Sequence, residues 1–314
     1  MNISDEDKSM LLGEIEQMPA NTSNSDLLCV SGDVYNMLSG IESIHTTYKE
    51  LSEGRTNYIS ISNLPTSKDN PQVGEFIAIG LSKFLGVPFQ YKEQNEGRLN
   101  GHLTPKEAFA DKKDTGEGDG IFGWHTDDAI FEKELRTTWI QLYCECNDSK
   151  TITKIAVLSD IIDQLDNRDV DLLMEDRFVF IPPHSFHVTD ETFLRCGKVL
   201  DLVGDTFEIS YSSYNCFPQD KNDVEAKSVL KQIHKIADQI SEEVTLAKGQ
   251  ALTFNNNRVI HCRNAVLGKR SLYRTYIREN LDVMNHAKAS KSNIYSIYDL
   301  RSFVTNIGSE RSMG

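Results

Sequence analysis

The spacing of apolar residues changes near residue 120 of the chain. Before that point, apolar side chains recur at helical spacing in three segments, SDEDKSMLLGEIEQMP, VYNMLSGIESIHTTYKEL and EFIAIGLSKFLGV. Such spacing places the apolar side chains on one face of a helix, so we predict one helix for each segment. NYISISNLP instead alternates and stops at a proline, which predicts a strand. The pattern therefore predicts a helical N-terminal part over about 1–55.

After residue 120 the chain consists mainly of short β-favouring runs parted by polar or turn-forming stretches. These runs are TTWIQLYCEC, RFVFIP, KVLDLV, FEISYSSY, GQALTFN and SLYRTYIR. Two helical segments interrupt them, LSDIIDQLDNRDVDLLMED and EAKSVLKQIHKIADQISEEV. Many strands with a few helices outside them predict a mostly β fold with flanking α-helices around a double-stranded β-helix (jelly-roll, cupin-like) core. We predict a single domain over 1–314.

Two segments lack a clear pattern of either kind. Residues 111–120, DKKDTGEGDG, contain four acids, three glycines and no bulky apolar residue, which predicts a mobile loop able to cover whatever lies beside it. The signals after Asn285 are weak, and they leave open whether 286–314 is a flexible tail.

Bulk composition narrows the class of protein. The chain has 314 residues, of which 39% are hydrophobic, and no apolar run approaches the ~18 residues expected of a membrane span. Its first residues, MNISDEDKSM, lack the layout of a signal peptide, so we expect a soluble, cytoplasmic protein. The net charge of −14 repels phosphate backbones, which argues against general nucleic-acid binding. We expect a small-molecule partner, with no membrane and no nucleic acid; the oligomeric state stays open.

Cysteine usage predicts reduced thiols. Six cysteines are scattered along the chain, and none of them forms a pattern of paired metal ligands. Cys144 and Cys146 lie in the strand-like run WIQLYCEC with no second cysteine pair after them. A cysteine metal site is therefore not expected.

A metal site is predicted by the stretch GWHTDDA together with one later histidine. On a strand, His125 and Asp127 would share a face and could hold one ion together. His261 closes GQALTFNNNRVIHCRN and supplies a second imidazole. Two imidazoles and one carboxylate form a facial triad with three free positions, which suits iron(II) better than zinc. His184 and His187 are a weaker candidate pair, because no carboxylate lies at a matching strand offset.

Two arginines in GKRSLYRTYIREN strengthen the prediction. On a strand, Arg270 and Arg274 share a face about 13 Å apart. A guanidinium on the inner face of a sheet needs an anion, and its fork matches a carboxylate. One arginine would hold the far carboxylate of a metal-chelating 2-oxo acid, and the other would hold an amino-acid-like substrate. Alternatively, both arginines are ordinary surface charges of a strand.

With these motifs, the chain resembles the clavaminate synthase-like branch of the Fe(II)/2-oxoglutarate-dependent oxygenases, relatives of taurine dioxygenase. The resemblance covers roughly 25–280 and runs through NYISISNLP, WHTDDA, TITKIAV, VLDLVG and TFNNNRVIHCRNAVLGKRSLYRTYIR. His-x-Asp alone is a weak motif; its combination with the late NNNRVIH segment and the two arginines makes the resemblance specific.

The resemblance implies a role for each of these residues. The implied iron ligands are His125, Asp127 and His261. Thr153 would hydrogen-bond the 2-oxoglutarate carboxylate, Arg270 would form its salt bridge, and Arg274 would hold the substrate's carboxylate. The interval from His261 to Arg270 is short for this branch, so the two arginines could exchange roles. Many members of the branch have glutamate where this chain has Asp127.

The implied cofactors are Fe(II), with 2-oxoglutarate and O2 as co-substrates. The implied reaction is hydroxylation of an unactivated C–H bond of a free amino acid or small amino-acid-derived metabolite, with release of succinate and CO2. Desaturation or cyclisation with the same cofactors is one alternative. A non-redox metal-binding jelly-roll hydrolase or binding protein is another. In relatives acting on basic amino acids, acids near the FEISYSSY region contact the side chain, and Glu208 is the acid offered here.

Overall fold

The computed structural model describes residues 1–19 and 23–301, and its helices flank an extensive set of strands. The helices are α1 Asp5–Ile15, α2 Asn24–Ser39, α3 Glu42–Ser52, α4 Gln72–Ser82, α5 Leu158–Ile162, α6 Asn167–Leu173, α7 Val224–Ile240 and α8 Asp282–Lys288. None of the helices in these two ranges has the length and apolar character needed to cross a bilayer. The apolar stripe predicted on α7 is buried, as core packing requires.

The strands are distributed along most of the chain after α3. They are β1 Tyr58–Ile61, β2 Val87–Tyr91, β3 Asn100–Leu103, β4 Phe122–His125, β5 Trp139–Asn147, β6 Thr153–Val157, β7 Phe178–Phe180, β8 Arg195–Gly197, β9 Leu200–Val203, β10 Thr206–Ile209, β11 Cys216–Pro218, β12 Glu242–Val244, β13 Ala251–Asn255, β14 Val259–Arg263, β15 Arg270–Arg278 and β16 Ile294–Tyr295. Every strand run predicted from the sequence overlaps an observed strand.

Two sheets dominate the described part of the chain. The large sheet has the order β1-β13-β5-β15-β2-β16, with β3 also paired to β15. The small sheet has the order β12-β6-β14-β4 and is antiparallel throughout. Two minor sheets, β11-β7-β8 and β10-β9, complete the set. The fold is thus a mixture of helices and mainly antiparallel sheets, which confirms the predicted strands and flanking helices but is less exclusively β than the pattern predicted.

The large sheet separates two hydrophobic clusters. One cluster joins α1–α4 to one face of the sheet and includes Tyr143 and Ile277. The other lies on the opposite face, together with the small sheet and α5–α7, and includes Leu142 and Leu272. Neighbouring residues of one strand contribute to different clusters because strand side chains alternate between faces.

Two helices predicted as continuous are each broken in the structure. VYNMLSGIESIHTTYKEL spans the end of α2 and all of α3, because the chain leaves the helix at Gly40 and Ile41 takes an extended conformation (φ −90°, ψ 101°). Glycine is a weak helix former, and the break allows Ile41 to be buried. LSDIIDQLDNRDVDLLMED divides into α5 and α6, where the Asp166 side chain accepts a hydrogen bond from the Asp169 N–H as an N-cap.

Part of the segment 286–314, for which a flexible tail was left open, is described. Within it, β16 pairs in parallel with β2, and Tyr295 is fully buried. The Tyr295 hydroxyl donates to Asn285 Oδ1 at 2.8 Å. These contacts attach the segment up to residue 301 to the large sheet, while 302–314 lie outside the described residues.

Candidate metal centre

The two predicted histidine ligands face each other across neighbouring strands of the small sheet. β4 and β14 are antiparallel, and His125 lies directly opposite His261 in their register. Opposed residues of an antiparallel pair project from the same face. Their imidazole ring centroids are accordingly 4.1 Å apart.

Asp127 reaches these imidazoles from a turn, so the prediction that it shares a strand with His125 is wrong. β4 ends at His125, and Asp127 begins the turn at 127–130. The turn is held by the Asn256 side chain, whose Oδ1 accepts from the Asp127 N–H at 2.9 Å. Asn256 Nδ2 donates to the Asp127 carbonyl at 2.9 Å and to the Thr137 carbonyl at 3.2 Å. This buried amide satisfies backbone groups that a continuing strand would have paired.

The three side chains converge at distances suited to one metal ion. Asp127 Oδ1 lies 3.1 Å from His125 Nε2 and 3.6 Å from His261 Nε2. One ligand atom from each residue lies within 4.8 Å of the others. The residues are 5%, 7% and 8% exposed in chain order, so water screens the group little. Because metal bonds to nitrogen and oxygen are about 2.0–2.2 Å long, one ion could contact all three.

The protonation states also fit a metal cation. His125 Nδ1 lies 2.8 Å from the Gly123 carbonyl oxygen, which can only accept, so Nδ1 carries the hydrogen. In a neutral ring His125 Nε2 is then an acceptor aimed at the Asp127 carboxylate, and this buried atom has no hydrogen-bond partner among the described residues. Two acceptors at 3.1 Å repel each other unless a cation lies between them.

The pKa values of His261 and Asp127 also favour the binding of a metal cation. Burial lowers the pKa of His261 well below its usual range, which keeps this imidazole neutral and able to ligate. Burial opposes ionisation of the Asp127 carboxyl, but the positive charge of Arg274 outweighs it and holds the pKa of Asp127 far below normal. The site therefore presents two imidazole nitrogens and an ionised carboxylate.

Arg274 orients the carboxylate. Its Nη1 donates to Asp127 Oδ2 at 2.9 Å, which leaves Oδ1 directed at the imidazoles. Its Nη2 donates to Gln94 Oε1 at 2.8 Å, and its guanidinium lies 4.4 Å from the ring centre of Tyr276. Partners of this kind fix the geometry of a metal ligand.

Two small cavities adjoin the centre. The first, here called the arginine cavity, has an empty volume of about 370 Å³ and is lined by Leu103, Leu142, Thr153, His261, Arg263 and Arg270. The second, the loop cavity, has an empty volume of about 470 Å³ and is lined by residues that include Gln94, Asp114, Thr115, His125, Ser185 and Asn215. Asp127, Arg274, Gly116 and Phe122 line both cavities.

Arg270 has the surroundings of an anion-binding side chain. Its side chain is 6% exposed and makes no hydrogen bond or ion pair with any residue that the structure describes. Burial, followed by the charge of Arg263, lowers the pKa of Arg270 to about 9. A buried guanidinium without a counter-ion lowers the stability of the folded protein. A carboxylate that bound beside it would remove this cost, because no other group would compete for the guanidinium.

Asp128, next to the metal-facing carboxylate, has a different environment. Its backbone φ is 64°, in the left-handed region, so its side chain turns away from that of Asp127. Asp128 Oδ2 accepts from the Tyr91 hydroxyl at 2.7 Å and from the Thr137 N–H at 3.3 Å. Burial, followed by the charge of Asp127, raises the pKa of Asp128 to about 7.

Trp124 is packed, as predicted, and its Nε1 donates to Asp238 Oδ1 at 2.8 Å.

The structure brings together all six residues singled out from the sequence, His125, Asp127, Thr153, His261, Arg270 and Arg274. Glu208 is not among them, because it lies on β10 and lines neither cavity. Sequence reasoning missed Gln94, Asp114, Asn256 and Arg263. A signal existed for Arg263, since it follows His261 by two positions on one strand and must share its face.

Comparison with known proteins shows the fold. No family model matches the chain. Asparagine oxygenase in complex with Fe(II), 2S,3S-3-hydroxyasparagine and succinate superposes with a TM-score of 0.83 at 14% identity, covering 94% of this chain and 98% of that one. A mutant of the non-heme iron oxygenase OrfP in complex with (3S)-hydroxy-L-Arg gives 0.81 at 20% identity, covering 94% and 99%. OrfP with Fe and alpha-ketoglutaric acid gives 0.80 at 20% identity, covering 94% and 98%. The chain therefore has the fold of these non-heme iron oxygenases, which confirms the resemblance at the level of fold.

Proposed function

We propose that the protein is an Fe(II)/2-oxoglutarate-dependent oxygenase that hydroxylates an unactivated C–H bond of a free amino acid or small amino-acid-derived metabolite. The observation that carries the proposal is the convergence of two buried imidazoles and a carboxylate beside a cavity with an unpaired arginine. A non-redox metal site for hydrolysis would have no use for Arg270. The similar structures, which hold Fe, alpha-ketoglutaric acid or hydroxylated amino acids, support the same choice.

In the proposed function, His125, Asp127 and His261 hold iron(II). When bound, iron(II) and 2-oxoglutarate supply the activation of O2, with release of succinate and CO2. Thr153 and Arg270 bind the far carboxylate of 2-oxoglutarate, because they line the same cavity as His261. Cavity walls of Leu103 and Leu142 exclude water from the charge pair and so strengthen it.

Arg274 is proposed to hold the substrate carboxylate. It lines both cavities and already donates to Asp127 and Gln94, whereas Arg270 lines only the arginine cavity. This difference supports the assignment of Arg270 to 2-oxoglutarate over the exchanged roles. A substrate carboxylate on Arg274 would lie beside the iron ligand Asp127, and the rest of the molecule would extend into the loop cavity.

We also infer that the large and small sheets are the two walls of a double-stranded β-helix within one catalytic domain over 1–314. The histidine ligands come from the small sheet and both arginines from β15 of the large sheet, so the site lies between the two sheets. A cytoplasmic location stays a prediction from composition.

Anaerobic titration with iron(II) and 2-oxoglutarate tests the function, monitored by the visible charge-transfer band of the chelate. We expect the band in the wild-type protein and a 2-oxoglutarate dissociation constant at least about 30-fold higher in Arg270→Ala, since a charged hydrogen bond is worth about 2–3 kcal/mol. Arg168→Ala is the control, because that side chain is 78% exposed on the surface. Folded protein without the band, or Arg270→Ala with wild-type affinity, would contradict the proposal.

Succinate release with a panel of free amino acids then narrows the substrate. Arg274→Ala should raise the KM for the amino acid more than that for 2-oxoglutarate. The opposite order of effects between Arg270 and Arg274 would show that the two residues have exchanged roles.

A further inference from the structure

Arg263 extends the metal-ligand strand into the arginine cavity. It follows His261 on β14 and lies opposite Phe122 of β4 and Thr153 of β6 in the register of the small sheet. Its side chain is 4% exposed and lines the cavity together with Arg270. Two guanidinium groups thus share one small buried space.

The donors of Arg263 are directed mainly at the acidic loop 111–120. Its Nη1 donates to the Gly120 carbonyl at 2.7 Å and to the Asn264 carbonyl at 3.0 Å. Its Nη2 donates to the carbonyls of Gly116, at 3.4 Å, and Gly118. Within residues 1–19 and 23–301 no carboxylate forms an ion pair with this guanidinium, and its hydrogen bonds all go to carbonyl groups, although the charge of Asp119 in the same loop attracts it.

The same loop forms a wall of the loop cavity. Asp114 enters that cavity and is tied to the neighbouring segment, since its Oδ1 lies 2.9 Å from His184 Nδ1 and its Oδ2 accepts from Asn215 Nδ2 at 3.2 Å. Gly118 is packed tightly: a Cβ there would lie 2.7 Å from the Phe109 carbonyl oxygen and 2.8 Å from that of Lys112. Because Asp114, Thr115 and Gly116 of this loop line the loop cavity, a shift of the loop would change the shape of that cavity.

An anion in the arginine cavity changes the balance of forces on Arg263. Without the anion, the charges of Arg263 and Arg270 repel each other at low local dielectric. A bound carboxylate compensates both charges, so Arg263 keeps its hydrogen bonds to the loop without that repulsion. By linkage, an anion that stabilises the loop contacts is itself bound more tightly when the loop is in place.

We propose that Arg263 is a positioning residue that couples the two cavities. A carboxylate in the arginine cavity compensates Arg263 and Arg270, and Arg263 in turn holds loop 111–120 as the wall of the loop cavity. The inference rests on the proposed function in taking 2-oxoglutarate as that carboxylate.

Limited trypsin digestion tests the coupling, because the loop contains the partly exposed Lys112 and the exposed Lys113. Cleavage after these residues requires local opening of the loop, and mass spectrometry identifies the fragments. In the wild-type protein, anaerobic addition of iron(II) and 2-oxoglutarate should slow this cleavage about 5-fold or more relative to iron(II) alone, the usual lower bound of coupling between sites. Cleavage at unrelated sites should change less.

Arg263→Lys keeps the positive charge and removes the planar fork. We expect this variant to form the charge-transfer band but to lose the 2-oxoglutarate protection of the loop. Its KM for the amino acid should rise, and succinate release should exceed formation of hydroxylated product. Arg258→Lys is the matched control, because Arg258 lies just before β14 and donates to Thr206 outside both cavities.

The outcomes separate this inference from the proposed function. Absence of the band in the wild-type protein would overturn both. A band in the wild-type protein without slower cleavage at Lys112 and Lys113 would overturn the coupling alone, even if Arg263→Lys failed to fold. Equal protection in the wild-type protein and Arg263→Lys would also overturn it.

Discussion

The two faces of the large sheet differ in what they bury. Towards α1–α4, the sheet presents side chains such as Tyr143 and Ile277 to an apolar cluster. Towards the small sheet, β15 presents the buried charges of Arg270 and Arg274, which alternate with Leu272 and Tyr276. Alternate residues of the same strand thus pack in an apolar cluster on one face and line the candidate site on the other.

The difference lies in whether buried polar groups have partners. On the helical face, the Tyr48 hydroxyl donates to Gln141 Oε1 at 3.0 Å and the Tyr143 hydroxyl donates to the Pro65 carbonyl at 2.5 Å. On the cavity face, Arg270 lacks a partner in the described part of the chain, and Arg274 Nε is buried without one there. A site that retains unpaired charge costs stability but is prepared for a ligand of opposite charge.

The largest expected effect comes from removing the negative charge of Asp127, the carboxylate that pairs with Arg274 on the cavity face of the large sheet. Asp127→Asn keeps the shape of the side chain but removes the anionic ligand, so iron(II) affinity should fall more than about 100-fold, beyond the usual effect of residues that only support a ligand. Isothermal titration with iron(II) measures this affinity. Asp163→Asn, a change at the surface, should leave it unaltered. Iron(II) affinity of Asp127→Asn close to wild type would rule out Asp127 as a ligand.

A substitution that removes a packed side chain on the α1–α4 face of the large sheet should lower stability and leave the candidate site unaffected. Phe76→Ala removes a fully buried ring of α4 and should lower the free energy of unfolding by about 3–5 kcal/mol. Urea denaturation measures the change, while the charge-transfer band per folded molecule should stay the same. Phe217→Ala, at a ring that is 42% exposed, should cost much less. A loss of the band at unchanged stability would contradict the division between the two faces.

A change on the cavity face should shift stability in the opposite direction. Arg270→Met replaces an unpaired buried charge by an apolar chain, so the free energy of unfolding without 2-oxoglutarate should rise by about 1 kcal/mol or more. The rise in melting temperature that 2-oxoglutarate adds to that of iron(II) alone should largely disappear. Arg168→Met serves as the surface control. Clear destabilisation by Arg270→Met would mean that the arginine supports the fold.

The smallest effect concerns thiol reactivity. Burial raises the pKa of Cys144, Cys216 and Cys262 to about 12, so their thiolate fraction at pH 8 is very small. Iodoacetamide at that pH should label the exposed Cys29 and Cys196 first. Peptide mapping measures the order of labelling. Early labelling of Cys144 would indicate that the large sheet opens on the timescale of the reaction.

Much of the site was predictable because strands impose a simple alternation. The runs around His261 and Arg270 are β-favouring, and alternation alone predicts that Arg270 and Arg274 share a face, as they do. The same rule failed at Asp127, because the strand ends at His125 and a turn takes over before the carboxylate is reached. The asparagine that holds this turn comes from a distant part of the chain, and no local pattern indicates such a partner.

The sequence by itself determined the antiparallel strand content, the helical N-terminal part and the candidate ligands, since these depend on local periodicity and side-chain chemistry. Tertiary structure alone decided that Asn256 fixes the Asp127 turn, that Asp114 enters the loop cavity, and that Arg263 contacts the acidic loop. Those contacts join segments far apart in the chain, and packing and the pairing of buried polar groups select them. For this protein, side-chain chemistry and periodicity indicate the candidate ligands, and long-range hydrogen bonds decide their arrangement.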